Sequence, residues 1–543
     1  MSRRWSPWGW GAALFAACAV LVFFSRPCAA DTSFTETMSF FWHGDNMDGF
    51  GYNDDYFDIK NRFNILFLGK MLETSLRIDT MTILDYDGRT PEAPPGKKYS
   101  DDYRLERISG ILKPVPGLQV TLGDTYAQIG NGILLSLRKI DEFGMEKALR
   151  GVKIDWSPSI VSLSLMGGVS NTNNVDQQDN YFLEDPMDRI AAAQLGVRPH
   201  PRVKIQAQGL FLSWTEEKSG RFFGPMAYGG GMLLWADLWP GRLTVEAESD
   251  LLWREKVSLL DEGELVRGEA TYLKLQGVFG PVSLLLEGKW YERFQVAGSM
   301  FGDGPIVYNQ PPTAERYDQE VEALHDVYGG RLKADVKIIE DVILYGNVSA
   351  GDYASLTDVA EGGDENRSAW YLHTYGGLRM FFNAGLSELS LSGGWRREME
   401  PKIVPGEEEP QGWSRHLHIY HVEAKVVFYI AEGWSIRWSL LHESRGKRKA
   451  TEYLDYDRGT QILGLDLAGV MSLNWAFEYD TEMLKDPFDR NLYGWWEGKF
   501  YPMQNLVLVV KGGLERGGLK CVSGVCKHVP PFTGLGFSIV YRH

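Results

Sequence analysis

The chain has 543 residues, 44% hydrophobic and 24% charged, with 60 glycines, 13% aromatics and a formal net charge of −16. That sign argues against nucleic acid as a partner. Beyond residue 30 no apolar run approaches the ~20 residues of a membrane-spanning helix, so a helical membrane protein is excluded.

Residues 1–30 read as a signal peptide. Arg3 and Arg4 precede an apolar run from Gly11 to Phe24, and Cys28 to Ala30 offer small residues before a cleavage site at Asp31. A start-anchor helix is the other reading, and the run is short for one. A lipoprotein fits less well, because Pro27 precedes Cys28 and Cys18 lies inside the run. Cleavage would leave two cysteines, Cys521 and Cys526, whose spacing predicts a local disulfide in an oxidising compartment.

From residue 31 onward the pattern is alternation with period two. Phe57, Ile59, Phe63, Ile65 and Phe67 oppose Asp58, Lys60, Arg62 and Asn64. The same holds over 203–211, 243–253 and 332–338, where one face is apolar and the other charged. A soluble β-sandwich or solenoid would alternate too, and the connections separate the readings. Tight turns are expected at Gly69-Lys70, Pro114 to Gly117, Ser157-Pro158, His200-Pro201, Pro240-Gly241, Gly280, Glu340-Asp341, Asn383 to Gly385, Ala431 to Gly433, Ala468 to Val470 and Pro502-Met503. Between them fall longer polar stretches, 44–54, 86–101, 171–188, 215–225, 254–264, 294–323, 354–368, 400–414, 446–455, 483–490 and 517–531. Such one-sided sorting predicts an all-β fold over 31–543. The expectation is a large antiparallel transmembrane β-barrel of about 24 strands with short periplasmic turns and long external loops. Trp156, Trp239 and Trp434 beside tight turns, and Trp42, Trp214, Trp253 and Trp290 at the opposite strand ends, are expected to form two interfacial girdles.

About 24 strands spaced ~4.8 Å apart and tilted ~40° enclose a bore roughly 50 Å across, too wide for side chains to fill. Five of the long stretches (44–54, 171–188, 294–323, 354–368 and 400–414) carry 21 acidic residues against Arg316, Arg367 and Lys402. They read as solvated loops, as a cation-attracting vestibule, or as a dock for a basic extracellular or lumenal protein.

No hydrolase, zinc-protease or haem motif occurs, so the chain is read as a non-enzyme without cofactors. The stretch "DNMDGFGYNDD" (45–55) is rich in oxygen ligands but lacks EF-hand spacing. His416 and His418 have no third ligand in view, and no metal site is expected.

One stretch breaks the pattern. In "GDTYAQIGNGILLSLRK" (123–139) an apolar run, Ile133 to Leu137, stands where a polar loop is due. A simple type I′ hairpin at Asn131-Gly132 is one reading. It would turn every later strand upside down. The alternative keeps 118–128 and 144–156 in the wall and folds about 129–143 into the lumen. Ile133, Leu134, Leu135 and Leu137 would then pack on the inner wall or form an apolar constriction. The pore and constriction candidates are Asp124, Tyr126, Gln128, Gly130, Asn131, Gly132, Arg138 and Lys139.

The segments "LGDTYAQIGNGILL" (122–135) and "GGLKCVSGVCKHVPPFTGL" (517–535) resemble motifs of an uncharacterised bacterial outer-membrane β-barrel family. Its first motif is G-D-x-Y-x-Q-F-G-x-G; Gly123, Asp124, Tyr126, Gln128, Gly130 and Gly132 match it, and Ile129 replaces its aromatic residue. The resemblance implies a barrel and no particular activity. The chain ends "FSIVYRH" rather than on an aromatic residue, although Phe537, Ile539 and Tyr541 keep the alternation. Recognition by the barrel-insertion machinery is expected, with outer-membrane lipid as the surroundings. The functional expectation is a passive channel or substrate-specific porin. Energy-coupled transport is the weaker reading, because strand one begins almost at the mature N-terminus. The alternative from another class is a scaffold barrel that anchors or sheathes an electron-transfer or secretion component.

Overall fold

The computed structural model describes residues 31–44, 55–84, 99–140, 145–172, 187–218, 221–255, 265–301, 304–313, 326–354, 368–401, 413–449, 452–482, 492–522, 525–529 and 531–543. The expected signal peptide and most of the acidic loop residues lie outside these.

The wall starts with β1 (Asp31–His43), β2 (Tyr56–Leu68), β3 (Leu72–Leu84), β4 (Tyr99–Val115), β5 (Leu118–Thr125) and β6 (Met145–Trp156). It continues through β7 (Val161–Thr172), β8 (Arg189–His200), β9 (Val203–Ser213), β10 (Met226–Trp239), β11 (Leu243–Glu255) and β12 (Leu265–Phe279). Then come β13 (Val282–Glu292), β14 (Val327–Ile339), β15 (Val342–Ala354), β16 (Ser368–Phe382), β17 (Ser387–Pro401) and β18 (Trp413–Ala431). The last six are β19 (Trp434–Lys449), β20 (Glu452–Leu467), β21 (Met471–Asp480), β22 (Leu492–Met503), β23 (Leu506–Glu515) and β24 (Phe532–Arg542). Each pairs antiparallel with its chain neighbour, and β24 closes the ring on β1, with Phe537 opposite Phe40 and Arg542 opposite Thr35. Closure leaves no open edge.

Alternation decides which face looks where. On β9, Ile205 and Phe211 are exposed, while Gln206, Gln208, Leu210 and Leu212 are buried on the other side. Leu195, Leu286, Leu332, Val422 and Leu463 continue the exposed apolar belt around the ring. Inward charges pair across strands, as in Lys425–Glu388 (3.1 Å), Arg437–Asp466 (2.6 Å) and Arg458–Asp480 (2.8 Å). A closed ring of antiparallel ladders, apolar outside and charged inside, satisfies a bilayer without helices. The protein is therefore a 24-stranded transmembrane barrel of the bacterial outer membrane.

Left-handed φ values at Gly117, Gly241, Gly280, Gly385, Gly433 and Gly469 punctuate the tight turns. At 382–385 the turn has positive φ at both Asn383 and Ala384, the type I′ geometry that matches strand twist. Two connections differ from expectation. The last tight turn is at 504–505, because β22 runs on through a register shift between Phe500 and Met503 that accommodates Pro502. The stretch 446–455 is mostly ladder, with Arg448 opposite Tyr453 and Lys449 opposite Glu452. Beyond the bilayer a strand needs no apolar face, so its polar composition reads as a loop.

Candidate functional site

Between β5 and β6 the chain leaves the ring. The two strands are wall neighbours, Leu118 opposite Trp156 and Thr125 opposite Leu149, so everything between them is an excursion. Ala127–Ile129 pairs antiparallel with Leu135–Leu137, and Gly132 N donates to the Ile129 carbonyl at 2.9 Å to close the tip. The hairpin crosses the lumen to β11, where Asn131 N donates to Glu248 Oε2 at 2.7 Å. Around the wall that reach spans five to six strands, roughly 25–30 Å.

Ile133, Leu134 and Leu135 are 0% exposed and Leu137 is 1%. They pack against Met166, Ile190, Leu210, Leu212, Leu252 and Tyr291 on the inner faces of β7 to β13. An apolar patch on the lumen side of a barrel is out of place by itself. The hairpin is its complement. Of the two roles expected for these leucines, the structure places them in packing, since covered side chains line nothing. Trp214, expected in an outer girdle, is buried in the same cluster, whereas Trp42, Trp156, Trp239 and Trp290 are exposed.

A second segment joins from β13. The stretch 294–313 had read as part of a solvated loop, but its short strands Ala297–Phe301 and Gly304–Val307 pair with each other, and Phe294, Val296, Ile306 and Tyr308 enter the same core. Ser136 N donates to the Tyr308 carbonyl at 2.7 Å and Gln310 N to the Gly132 carbonyl at 2.8 Å. The buried Asp188 carboxylate accepts from Ser299 N (2.9 Å), Tyr308 Oη (2.7 Å) and Ser299 Oγ, which ties the segment to the start of β8. Alternating apolar residues within 294–308 are the signal that would have found it.

The remaining candidates hold the hairpin at its root and tip. Gly123 has φ +95°, and a Cβ there would meet the Ile108 carbonyl oxygen at 2.1 Å. That close approach lets Asp124 accept from Ile108 N (2.7 Å), Arg150 Nε (3.0 Å), Arg150 Nη2 (3.1 Å) and Asn171 Nδ2 (2.8 Å). The Tyr126 hydroxyl donates to Glu146, which also accepts from Arg77 Nη1 (2.6 Å) and Arg107 Nε (2.8 Å). At the tip Gln128 is exposed, and a Cβ on Gly130 would lie 2.1 Å from Glu248 Oε1. Gly132, with φ +83°, brings the backbone beside the Gln310 carbonyl. Arg138 is half-buried and Lys139 exposed. Thus Asp124 and Tyr126 sit at the root, Gly130, Asn131 and Gly132 at the tip, and Arg138 and Lys139 on the return. Glu248, Asp250, Gln208 and Asp188 were not singled out from sequence.

The chain places Cys521 opposite Cys526 in the ladder between Gly518–Val522 and Val525–Val529. The His418 ring lies against the Tyr453 hydroxyl, 2.6 Å from Nδ1. Among the described residues no group of three His, Cys, Asp or Glu side chains assembles for a metal.

No protein-family profile and no curated protein matches the sequence. Solved structures do share its shape. The siderophore receptor PirA from Acinetobacter baumannii superposes with a TM-score of 0.50 at 10% identity, over 96% of this chain and 81% of that one. PirA from Pseudomonas aeruginosa gives 0.49 at the same identity and coverages. A variant of the ferric enterobactin receptor PfeA from the same organism, bound to enterobactin, also gives 0.49 at 10% identity, over 96% and 82%. The likeness is one of fold.

Proposed function

We propose that the protein is an outer-membrane transport barrel whose lumen is narrowed from within by its own polypeptide, a substrate-selective channel rather than an open pore. One observation carries this. The 126–138 hairpin and the 294–313 segment share a buried apolar core with one sector of the inner wall, so they are built-in parts of the lumen and not loops that happen to enter it. On the opposite sector the inward face carries paired charges such as Arg437–Asp466 and Arg458–Asp480, the surface a hydrated solute would meet. The similar barrel from Acinetobacter baumannii is a siderophore receptor, which makes a small chelated solute the first class to try. Gly123, Asp124, Tyr126, Gly130 and Gly132 act together in seating the hairpin, and the register of Cys521 and Cys526 supports a disulfide between them.

Planar-bilayer recording of the purified full-length protein tests the reading. Discrete steps are expected, and deletion of 130–138 should enlarge them while heat-modifiable gel mobility shows an intact barrel. An inserted, folded deletion variant with unchanged steps would overturn it. Recovery of the native protein with a stoichiometric second chain would favour the scaffold reading.

A further inference from the structure

The hairpin tip rests on two acids that lack a counter-charge. Glu248 and Asp250 stand on the inner face of β11, each 1% exposed. Gln208 of β9, itself 8% exposed, donates Nε2 to Glu248 Oε1 at 2.7 Å and to Asp250 Oδ1 at 2.6 Å, and Asn131 N takes the other Glu248 oxygen. Among the described residues no Lys, Arg or His pairs with either carboxylate. Asp250 Oδ2 and Gln208 Oε1 are buried without a hydrogen-bond partner, and so is Asn131 Nδ2.

The neighbours supply no charge to this corner. Gln206 lies beside Gln208 on β9, and β10 presents Gly229, Gly231 and Leu233. Glu246, on β11 itself, stands opposite Lys274 of β12. Tyr272 of β12, opposite Glu248, donates its hydroxyl to Glu287 of β13 at 2.5 Å, and Glu287 is held by Arg331. Lys289 of β13 stands opposite Tyr272, one strand further away. The tip, 129–134, contains no titratable side chain, and Tyr308 of the second segment is bound to Asp188. Adjacent carboxylates closed off from water cannot both stay charged without a cation. Asp250 Oδ2 also faces no donor in this corner. A hydrogen on one carboxyl removes one of the two charges and supplies a donor between the acids.

We propose that Glu248 and Asp250 form a proton-binding latch: the pair holds one shared proton while the hairpin tip is docked, and its loss to water undocks the tip. No bond changes except the O–H. Raising the pH places two negative charges in the corner, their repulsion separates the side chains, and Asn131 loses the geometry of its acceptor. The 126–138 hairpin then has only its apolar core and its root to hold it. The widening of the lumen that follows rests on the transport reading above; the protonation and the undocking do not.

The experiment uses the full chain in detergent and in bilayers. Infrared spectra near neutral pH should show a protonated-carboxyl band in the wild type that Glu248→Gln and Asp250→Asn each remove. A cysteine at buried Ser136, read by peptide mapping, should label about tenfold faster or more at about pH 10 than the same cysteine combined with Glu248→Gln, which cannot gain the second charge. Equal labelling in the two backgrounds, or a band that neither substitution removes, overturns the latch. Retained heat-modifiable mobility in each variant excludes misfolding as the cause. If the band and the labelling behave as expected while conductance never changes with pH, the latch stands and the transport reading falls.

Discussion

At the scale of single residues, the hairpin's position depends on a few groups that each serve several partners at once. Asp124 is the clearest. Its carboxylate satisfies a backbone N–H of β4, the guanidinium of Arg150 and the amide of Asn171 at once, which is why Gly123 must let the chains approach so closely. Asp124→Ala leaves those donors unmatched at a site only partly reached by water, and is expected to cost about 1–3 kcal/mol. Urea unfolding of the barrel in detergent would read the loss, and Asp124→Asn should recover part of it because an amide oxygen still accepts. The spacing of Gly123, Asp124, Tyr126, Gly130 and Gly132 marked these residues in the sequence as a unit. The partners it serves, Arg150, Asn171, Glu146 and Glu248, lie 20 or more residues away in the chain, and nothing local to the motif points to them.

For the strands and their connections, period-two alternation is a strong signal because lipid and water impose opposite demands on successive side chains. Where that demand ends, so does the signal. The extended ends of β19 and β20 were unreadable for that reason, as was the run of β22 through Pro502. Sidedness follows from the asymmetry of connections and is testable on described positions. Thr481 lies exposed just past β21, at the long-connection end, and Asn383 at the tip of a type I′ turn. A cysteine at 481 should react with an impermeant reagent on intact cells, while one at 383 should react only after the outer membrane is opened. The reverse pattern would invert the barrel.

Over the whole molecule, closure of β24 on β1 makes the lumen, and charge sets what approaches it. The chain is −16 overall, and the five acidic stretches carry 19 acidic residues besides Asp188, which is buried, and Glu400, which belongs to β17. Reversal potentials under a salt gradient should therefore show cation preference at low ionic strength, fading as salt screens the field over its ~10 Å range at 0.1 M. Preference for anions at low salt would contradict this account of the entrance.

The sequence by itself determined the wall: which residues alternate, where most of the tight turns fall, that about 24 strands result, and that Ile133 to Leu137 are too apolar for a loop in water. These are short-range properties, each legible within a dozen residues. Only the tertiary structure decided what those leucines cover, that 294–313 folds in beside them, and that the tip lands on Glu248 and Asp250. Such pairings depend on the registers of every strand from β5 to β13 taken together. A lumenal contact across a chord of the barrel leaves no periodic trace in the chain, so an acid that seats the hairpin and one that merely faces water look alike until the ring is closed.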